Sequence, residues 1–238
     1  MVRPRLRYRG ADEAEHECAL DAASARVLAS GRPWRPFRWH HGQRHYSGTY
    51  WCATTASHVV YESRLELARL ILADFDPLTV EIAAQPFLIE AEAADQVRRH
   101  VPDFLLLDGE GLATVVNVKP AERLANPKVA ESLAWASELF EARGWRAETW
   151  SGVDEVTMAN LRFLAGYRRR VVINPEALAM VGEAVLPGDT IAEVEHRLDT
   201  RLDAADLRPA LLHLVWTGTL VTDLTVALGP ETVLARAA

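Results

Sequence analysis

Apolar residues follow two different spacings along the chain, which predicts a fold that contains both strands and helices. Residues 104–107 form a short apolar run, residues 113–118 are rich in β-branched side chains, and a turn with two glycines separates them. This pattern predicts a β-hairpin. The other periodic segments predict strands within residues 45–60, at 80–89 and at 145–150, and helices from 57 or 61 to about 73, over 127–143 and over 156–169.

The order of these elements predicts the α/β class, with a mixed sheet flanked by helices. After residue 170 the pattern changes. Three short helices are expected at residues 175–182, from Thr190 onward and at 204–215, followed by short strands at 219–222 and 225–228. Thr190 and Glu193 have the spacing of a capping box. Three helices followed by a two-stranded wing describe a winged-helix module.

We therefore predict three parts. Residues 1–44 are expected to form an N-terminal arm that is loosely structured up to residue 17 and has a short helix at 18–29. Residues 45–170 are expected to form the α/β core. Residues 171–238 are expected to form the small winged-helix C-terminal domain.

The formal net charge of −7 is unevenly distributed. Residues 1–45 contain nine arginines and five acidic residues, whereas residues 171–238 contain four arginines and ten acidic residues. Because DNA phosphates must be neutralised by positive charge, a nucleic-acid contact is expected on the N-terminal side. The acidic C-terminal module is expected to dock a protein rather than DNA.

Aromatic and basic residues are interleaved over residues 34–41, where Arg35 and Arg38 lie between tryptophans, Phe37 and histidines. Such a pattern suits backbone and base contacts on DNA. It equally suits an edge strand that packs alternate aromatic side chains against the protein body. The sequence leaves both interpretations open.

The composition of the chain limits its expected cellular location. The chain has 238 residues, 49% of them hydrophobic, and no apolar run long enough to cross a membrane. It has neither a signal-peptide pattern nor enough cysteines, with two, for a disulfide framework. We expect a cytoplasmic protein without membrane contact.

The candidate chemistry lies around the predicted hairpin. Asp103 precedes the first strand, and Asn117, Val118 and Lys119 end the second. Only two of the 26 basic residues are lysines, Lys119 and Lys128. A lysine kept in so arginine-rich a chain suggests that a compact, flexible ammonium is needed at that place. The alternative is an ordinary surface lysine at a strand end.

These residue types suit the hydrolysis of a phosphodiester, which requires an activated water and a cation that offsets charge on phosphorus. Asp103 and Glu66 are the expected carboxylate ligands of a metal ion. The side chain of Asn117 and the carbonyl of Val118 would add oxygen ligands, and Lys119 would hold or polarise the water. For Glu66 the alternative is a solvated helix face shared with arginines.

The motif of Pro102 and Asp103 followed by Asn117, Val118 and Lys119 resembles the PD-(D/E)xK nuclease superfamily. More narrowly, the chain is similar to TnsA-like endonuclease subunits of heteromeric transposases over about residues 45–150. The segments that support this resemblance are 61–68 (YESRLELA), 75–77 (FDP), 85–87 (QPF), 100–104 (HVPDF) and 118–120 (VKP).

The resemblance implies a restriction-endonuclease-like core that uses Mg²⁺, for which Mn²⁺ can substitute, and that cuts DNA at the 5′ ends of a transposon. It also implies a DDE-type transposase and an AAA+ regulator as partners. Carried over by position, Glu66, Asp103 and Lys119 form the catalytic set, and Glu66 matches better than Glu62. Asn117 stands where the superfamily often has an acidic residue.

Further residues are expected at the DNA with less support: Arg35, Arg38, His100, Arg168 and Arg169. His100 suits either a phosphate contact or a cap on the sheet, and arginines at a helix C-terminus also suit the helix dipole. Gln85 is expected to be structural. Two alternatives to the transposase subunit remain: a stand-alone restriction or repair nuclease of the same superfamily, and a catalytically inactive DNA or protein adaptor.

Overall fold

The computed structural model describes residues 4–35, 46–93 and 96–237. The chain forms two compact units: Met1–Asp74 with Leu78–Gly152, and Phe75–Pro77 with Val153–Ala238. The described part contains several sheets and α-helices, so the predicted α/β class is confirmed. No helix in these ranges is both long enough and apolar enough to cross a membrane.

Up to residue 152 the elements are β1 (Arg5–Arg9), β2 (Glu15–Ala19), α1 (Ala25–Ala29), β3 (Gly48–Cys52), β4 (Ser57–Tyr61), α2 (Arg64–Phe75), β5 (Thr79–Ala84), β6 (Leu88–Ala93), β7 (Gln96–His100), β8 (Phe104–Asp108), β9 (Ala113–Val118), α3 (Ala121–Leu124), α4 (Pro127–Ala142) and β10 (Arg146–Trp150). Beyond it lie α5 (Glu155–Leu164), α6 (Pro175–Ala184), α7 (Ile191–Leu198), α8 (Ala204–Trp216), β11 (Leu220–Val221) and β12 (Ala235–Arg236).

Two four-stranded sheets and a hairpin build the first unit. One sheet has the order β10-β9-β8-β5, with β10 parallel to β9 and the other pairs antiparallel, so it is mixed as predicted. The second sheet has the order β2-β1-β6-β7 and is antiparallel throughout. Within the described ranges, β3 and β4 pair only with each other.

The mixed sheet has a helix on each face. Alternate residues of β8 and β9, including Leu105 and Val115, belong to a buried cluster with Phe140 of α4, and Ala147 of β10 packs against that cluster. Successive strand residues point to opposite faces. Glu148, the neighbour of Ala147, therefore points to the other face, where it binds a side chain of α2.

Predicted and observed elements agree best around the hairpin and in the segments that follow it. β8, β9, α4 and β10 lie where they were expected. The expectation that a helix begins near residue 57 is wrong because Ser57–Tyr61 is a strand, and α2 begins only at Arg64. β7 was not predicted as a separate strand.

The expected loose N-terminal segment is instead an antiparallel hairpin of β1 and β2. Arg5 forms an ion pair with Glu17, and Arg7 with Glu15. β1 also pairs with β6, which makes the segment part of the first unit rather than a separate arm. Because these two arginines are already paired with glutamates, they are less available for contacts with DNA phosphates.

The second unit begins earlier than expected, at Val153 rather than near residue 171. Asn160 of α5 explains the difference, since its amide nitrogen donates to the carbonyls of Leu224 and Val226, at 2.9 and 2.8 Å. α6, α7 and α8 match the three predicted helices, and the capping box of Thr190 and Glu193 is confirmed.

The predicted wing is only partly present. Leu220–Val221 is a strand as expected, but its partner is Ala235–Arg236, so the expected strand at 225–228 is wrong. Asp223 accepts hydrogen bonds from the backbone nitrogen and hydroxyl of Thr225 and makes a local turn there. Four α-helices, α5 to α8, and a short strand pair form the described part of this unit.

Asp74 fixes the C-terminal end of α2. Its buried carboxylate accepts hydrogen bonds from the Tyr50 hydroxyl at 2.8 Å, the backbone nitrogens of Ala53 and Thr54 at 3.1 and 2.8 Å, and the Thr54 hydroxyl at 2.8 Å. The Cys52 thiol also donates to it at 3.0 Å. Burial, followed by the charge of Asp74, raises the pKa of Cys52 to about 11.

We predict that Asp74→Ala lowers the free energy of unfolding by roughly 3 kcal/mol, because several buried donors lose their acceptor at once. Urea denaturation followed by circular dichroism measures the change. Glu138→Ala, at an exposed position of α4, is the matched control and is expected to change stability by less than about 0.5 kcal/mol. Equal stabilities of the two variants would contradict the assigned role.

Candidate functional site

Asp103 and Lys119 meet at one end of the β8–β9 hairpin. The Oδ2 atom of Asp103 accepts hydrogen bonds from the backbone nitrogen of Val118 at 2.6 Å and from the ammonium of Lys119 at 3.0 Å. The same ammonium donates to the carbonyl oxygen of Val118 at 2.9 Å. The Asp103 side chain is 16% exposed and that of Lys119 32% exposed, so solvent and small ligands can reach both.

The local backbone explains this convergence. The backbone nitrogen of Asp103 donates to the carbonyl of Val116, which continues the β8–β9 ladder by one residue. The nitrogen of Lys119 donates to the carbonyl of Trp150, so β9 stays attached to β10 just past its end. Both functional side chains therefore leave from positions that the sheet holds in place.

Glu66 lies in the first turn of α2 and is half-buried. Its two carboxylate oxygens accept hydrogen bonds from the backbone nitrogen of Glu62 at 2.7 Å and from the Ser63 hydroxyl at 3.0 Å. The Ser63 hydroxyl oxygen in turn accepts from the backbone nitrogen of Glu66 at 3.1 Å. This arrangement resembles a capping box, so Glu66 also stabilises the start of its helix.

Glu66 and Asp103 affect each other electrostatically. Burial raises the pKa of Glu66 to about 7, and the negative charges of Asp103 and Glu62 act in the same direction. The hydrogen bonds from Glu62 and Ser63 oppose the shift. A cation that binds both carboxylates would offset the repulsion between them.

A salt bridge holds α2 on the sheet near this point. The guanidinium of Arg69, which is only 7% exposed, donates to both oxygens of Glu148 on β10 at 2.9 and 2.7 Å. Such a two-point contact fixes orientation as well as distance. Since Arg69 is one helical turn beyond Glu66, the contact also fixes the side of α2 that faces the sheet.

Asn117 is fully buried, at 0% exposure. It continues the row of Ala113 and Val115, which belongs to the buried cluster below α4. Its Oδ1 atom lies 2.6 Å from Nε2 of His100, and among the described residues its Nδ2 has no hydrogen-bond partner. The oxygen expected to bind a metal is therefore engaged by His100 in this arrangement.

His100 ends β7 and links the two sheets through Asn117. Burial lowers the pKa of its imidazole, and the positive charges of Lys119 and Arg35 act in the same direction. The bond to Asn117 and the charge of Asp103 oppose this shift. A neutral ring that already contacts Asn117 suits the sheet-capping interpretation of His100 better than a phosphate contact.

Gln85 supports Asp103 through its backbone. Its nitrogen donates to the carbonyl of Asp103 at 2.9 Å, and its own carbonyl accepts from Trp34 at 2.8 Å. Its φ of 47° lies in the left-handed region that non-glycine residues rarely adopt. Strained backbone of this kind is often kept beside functional residues. Gln85 is thus structural, as expected, although it contacts the Asp103 turn rather than a helix.

The remaining candidate DNA contacts are dispersed. Arg35 is exposed and lies within electrostatic range of His100. Arg38 lies outside the described residues. Arg168 and Arg169 belong to the second unit, where Arg168 donates to the carbonyl of Ala165. Within the described part of the first unit, Arg35 is therefore placed near the site.

The site's donors fit a hard divalent cation only in part. In the described ranges, no group of three or more His, Cys, Asp or Glu side chains is arranged to hold a metal ion. Two carboxylates, Glu66 and Asp103, and the carbonyl of Val118 are the oxygen donors at hand. Mg²⁺ usually keeps several waters and binds through one or two carboxylates, so this small set suits it.

The contacts of Ser63 and the Arg69–Glu148 pair were not predicted from the sequence. Ser63 had a readable signal, because a serine three residues before a glutamate is the capping-box pattern. Arg69 had none, since a buried arginine looks like any other helix arginine in the sequence.

No protein-family model matches the chain, and no curated protein matches it either.

We predict a stability difference that depends on pH and is specific to Glu66. The carboxyl keeps its proton up to about pH 7 in the folded protein, whereas its ordinary value is 4.5. The contribution of the protonated Glu66 carboxyl to the stability of the fold is fully present below pH 4.5. It is lost as the pH rises through 7, because between these two values the folded state binds more protons than the unfolded state. The wild type is expected to lose roughly 3 kcal/mol relative to Glu66→Gln across it.

Urea denaturation of both proteins in EDTA, at several pH values from below 4.5 to above 7, measures this difference. Glu122→Gln, at an exposed position of α3, is the control and should show no step. Stability curves of wild type and Glu66→Gln that run parallel throughout would mean that Glu66 titrates normally.

Proposed function

We propose that this protein is a metal-dependent DNA endonuclease that hydrolyses phosphodiester bonds as one subunit of a heteromeric transposase. The observation that supports this most strongly is the junction at Asp103, where a carboxylate binds the ammonium of Lys119 and repels the carboxylate of Glu66. Two carboxylates and a lysine beside an accessible strand end are the residue types that metal-assisted phosphodiester hydrolysis needs.

In the proposed site, Glu66, Asp103 and the carbonyl of Val118 hold Mg²⁺ or Mn²⁺. A bound cation would lower the pKa of water and offset negative charge on the phosphate. Lys119 orients the attacking water or a phosphate oxygen through its donors. Asn117 acts indirectly in this scheme, because it is buried against His100.

The transposase assignment rests on the resemblance of the five sequence segments and on charge. A net charge of −7 and paired N-terminal arginines suggest weak DNA binding by the isolated protein. A DDE-type transposase and an AAA+ regulator would then deliver the nuclease to the transposon ends. In this proposal the second unit is a winged-helix module that docks a protein partner, in keeping with the ten acidic residues and four arginines of residues 171–238.

We predict that Glu66→Gln, Asp103→Asn and Lys119→Met each lower the cleavage rate by at least on the order of a hundredfold. Cleavage is measured on DNA that carries the element ends, with Mg²⁺ or Mn²⁺ and with the DDE-type transposase and AAA+ regulator that this proposal requires as partners. Lys128→Met and Glu122→Gln change exposed residues on α4 and α3, so these controls should cut at the wild-type rate.

The outcomes separate the alternatives. Cutting by the protein alone, without partners, would favour a stand-alone restriction or repair nuclease. Absence of both metal binding and cutting would favour the inactive adaptor. Wild-type cutting by Asp103→Asn or Lys119→Met would show that the chemistry has been assigned to the wrong residues.

A further inference from the structure

The ammonium of Lys119 has the coordination of a bound cation. It contacts Oδ2 of Asp103 at 3.0 Å and the carbonyl oxygen of Val118 at 2.9 Å. A carboxylate oxygen and a backbone carbonyl oxygen are also hard ligands that divalent cations prefer. Lys119 therefore holds two of the three oxygen donors that the proposed nuclease offers to a metal ion.

The Asp103 oxygen has little capacity to spare. Oδ2 of Asp103 also accepts the backbone nitrogen of Val118 at 2.6 Å, so two donors already use that oxygen. An oxygen of a carboxylate has about two lone-pair sites. A divalent cation and an ammonium at the same oxygens would also repel each other, so both cannot bind there at full strength.

We propose that the Lys119 ammonium occupies the cation position of the metal-free site, and that a divalent cation binds by displacing it. The inference rests on the proposed nuclease function, since it concerns the same site. Lys119 then has two roles. Its ammonium first competes with the metal ion for the same oxygens, and after displacement it contacts the substrate.

The chemistry of lysine suits this exchange. An ammonium on a flexible four-carbon stem can leave one set of acceptors and reach another, whereas a wide guanidinium fork is less able to do so. Once displaced, its three donors are available to a negatively charged oxygen, such as that of a DNA phosphate. This accounts for a lysine at position 119 in a chain that has 24 arginines and only one other lysine.

Metal affinity is the first test. Calorimetric titration with Mn²⁺, without DNA, compares wild type, Lys119→Met and Lys128→Met. Removal of the competing ammonium is expected to tighten binding by about tenfold in Lys119→Met, because an opposite charge at this distance shifts a carboxylate's affinity for cations by at least that much. Lys128→Met, whose lysine is exposed on α4, should bind as the wild type does.

Displacement itself is the second test, and it separates exchange from a general effect of charge. With ¹⁵N-labelled lysine, the side-chain ammonium groups give only two signals, and Lys128→Arg assigns them. Titration with Mg²⁺ is expected to move or broaden the Lys119 signal and to leave the Lys128 signal in place. This test uses the wild-type protein, so it stands even if Lys119→Met does not fold; Lys119→Gln then replaces that variant in calorimetry.

The results distinguish this inference from the proposed function. If Mg²⁺ and Mn²⁺ bind and Asp103→Asn abolishes binding, the metal site stands. An unchanged Lys119 signal, or unchanged or weaker binding by Lys119→Met, would then overturn displacement alone. If the wild type and Lys119→Met both fail to bind metal, the displacement and the nuclease proposal fall together.

Discussion

The carboxylate of Asp103 is the point on which the arrangement of the candidate site depends. A single oxygen accepts a backbone nitrogen from β9 and the ammonium of Lys119, while the charge of the carboxylate adds to the burial that raises the pKa of Glu66. A carboxylate that binds the ammonium of Lys119 but repels the carboxylate of Glu66 is an unfavourable arrangement if its role is only to stabilise the fold. It becomes a favourable one when a cation binds both carboxylates.

The helix that supplies Glu66 is fixed at three levels. Ser63 and Glu66 stabilise its first turn, Arg69 binds Glu148 of the mixed sheet, and Asp74 binds the β3–β4 hairpin at its last turn. Each contact involves a charged or capping group rather than apolar packing alone. Such contacts have definite geometry, so they hold the carboxylate of Glu66 at a constant place relative to Asp103.

His100 and Asn117 add a polar connection beneath the site. Their contact joins the last residue of β7 to a fully buried position of β9, and so ties the antiparallel sheet to the mixed one. In the part of the chain that the structure describes, the buried amide nitrogen of Asn117 has no hydrogen-bond partner, which costs free energy. The contact therefore positions the strand end that supplies Val118 and Lys119 at some expense of stability.

Local patterns in the sequence predict what local forces determine. The β8–β9 hairpin, α4, β10 and the capping box at Thr190 have short-range signals, and the structure has all four. The pairing of β1 with β6 joins residues far apart in the chain, and alternating arginines with glutamates look equally like a loose segment until the partner strand is known. The burial of Asn117 is missed for a related reason, because which face of a strand meets a helix is decided by tertiary packing.

The candidate site shows the same division. Asp103 and Lys119 are adjacent on one hairpin, so their meeting could be predicted from turn geometry alone. The approach of Glu66 depends on how α2 docks, and that docking depends on Arg69, Glu148 and Asp74, which have no distinctive local signal. The sequence therefore indicates the chemistry of the site more fully than the contacts that assemble it.

A crystal structure of the protein soaked with Mn²⁺, with the ion located by its anomalous scattering, tests the central claim most directly. We expect one Mn²⁺ ion bonded to carboxylate oxygens of both Glu66 and Asp103 and to the carbonyl of Val118. An ion bound elsewhere, or a Glu66 carboxylate still hydrogen-bonded only to Glu62 and Ser63 at saturating Mn²⁺, would contradict it.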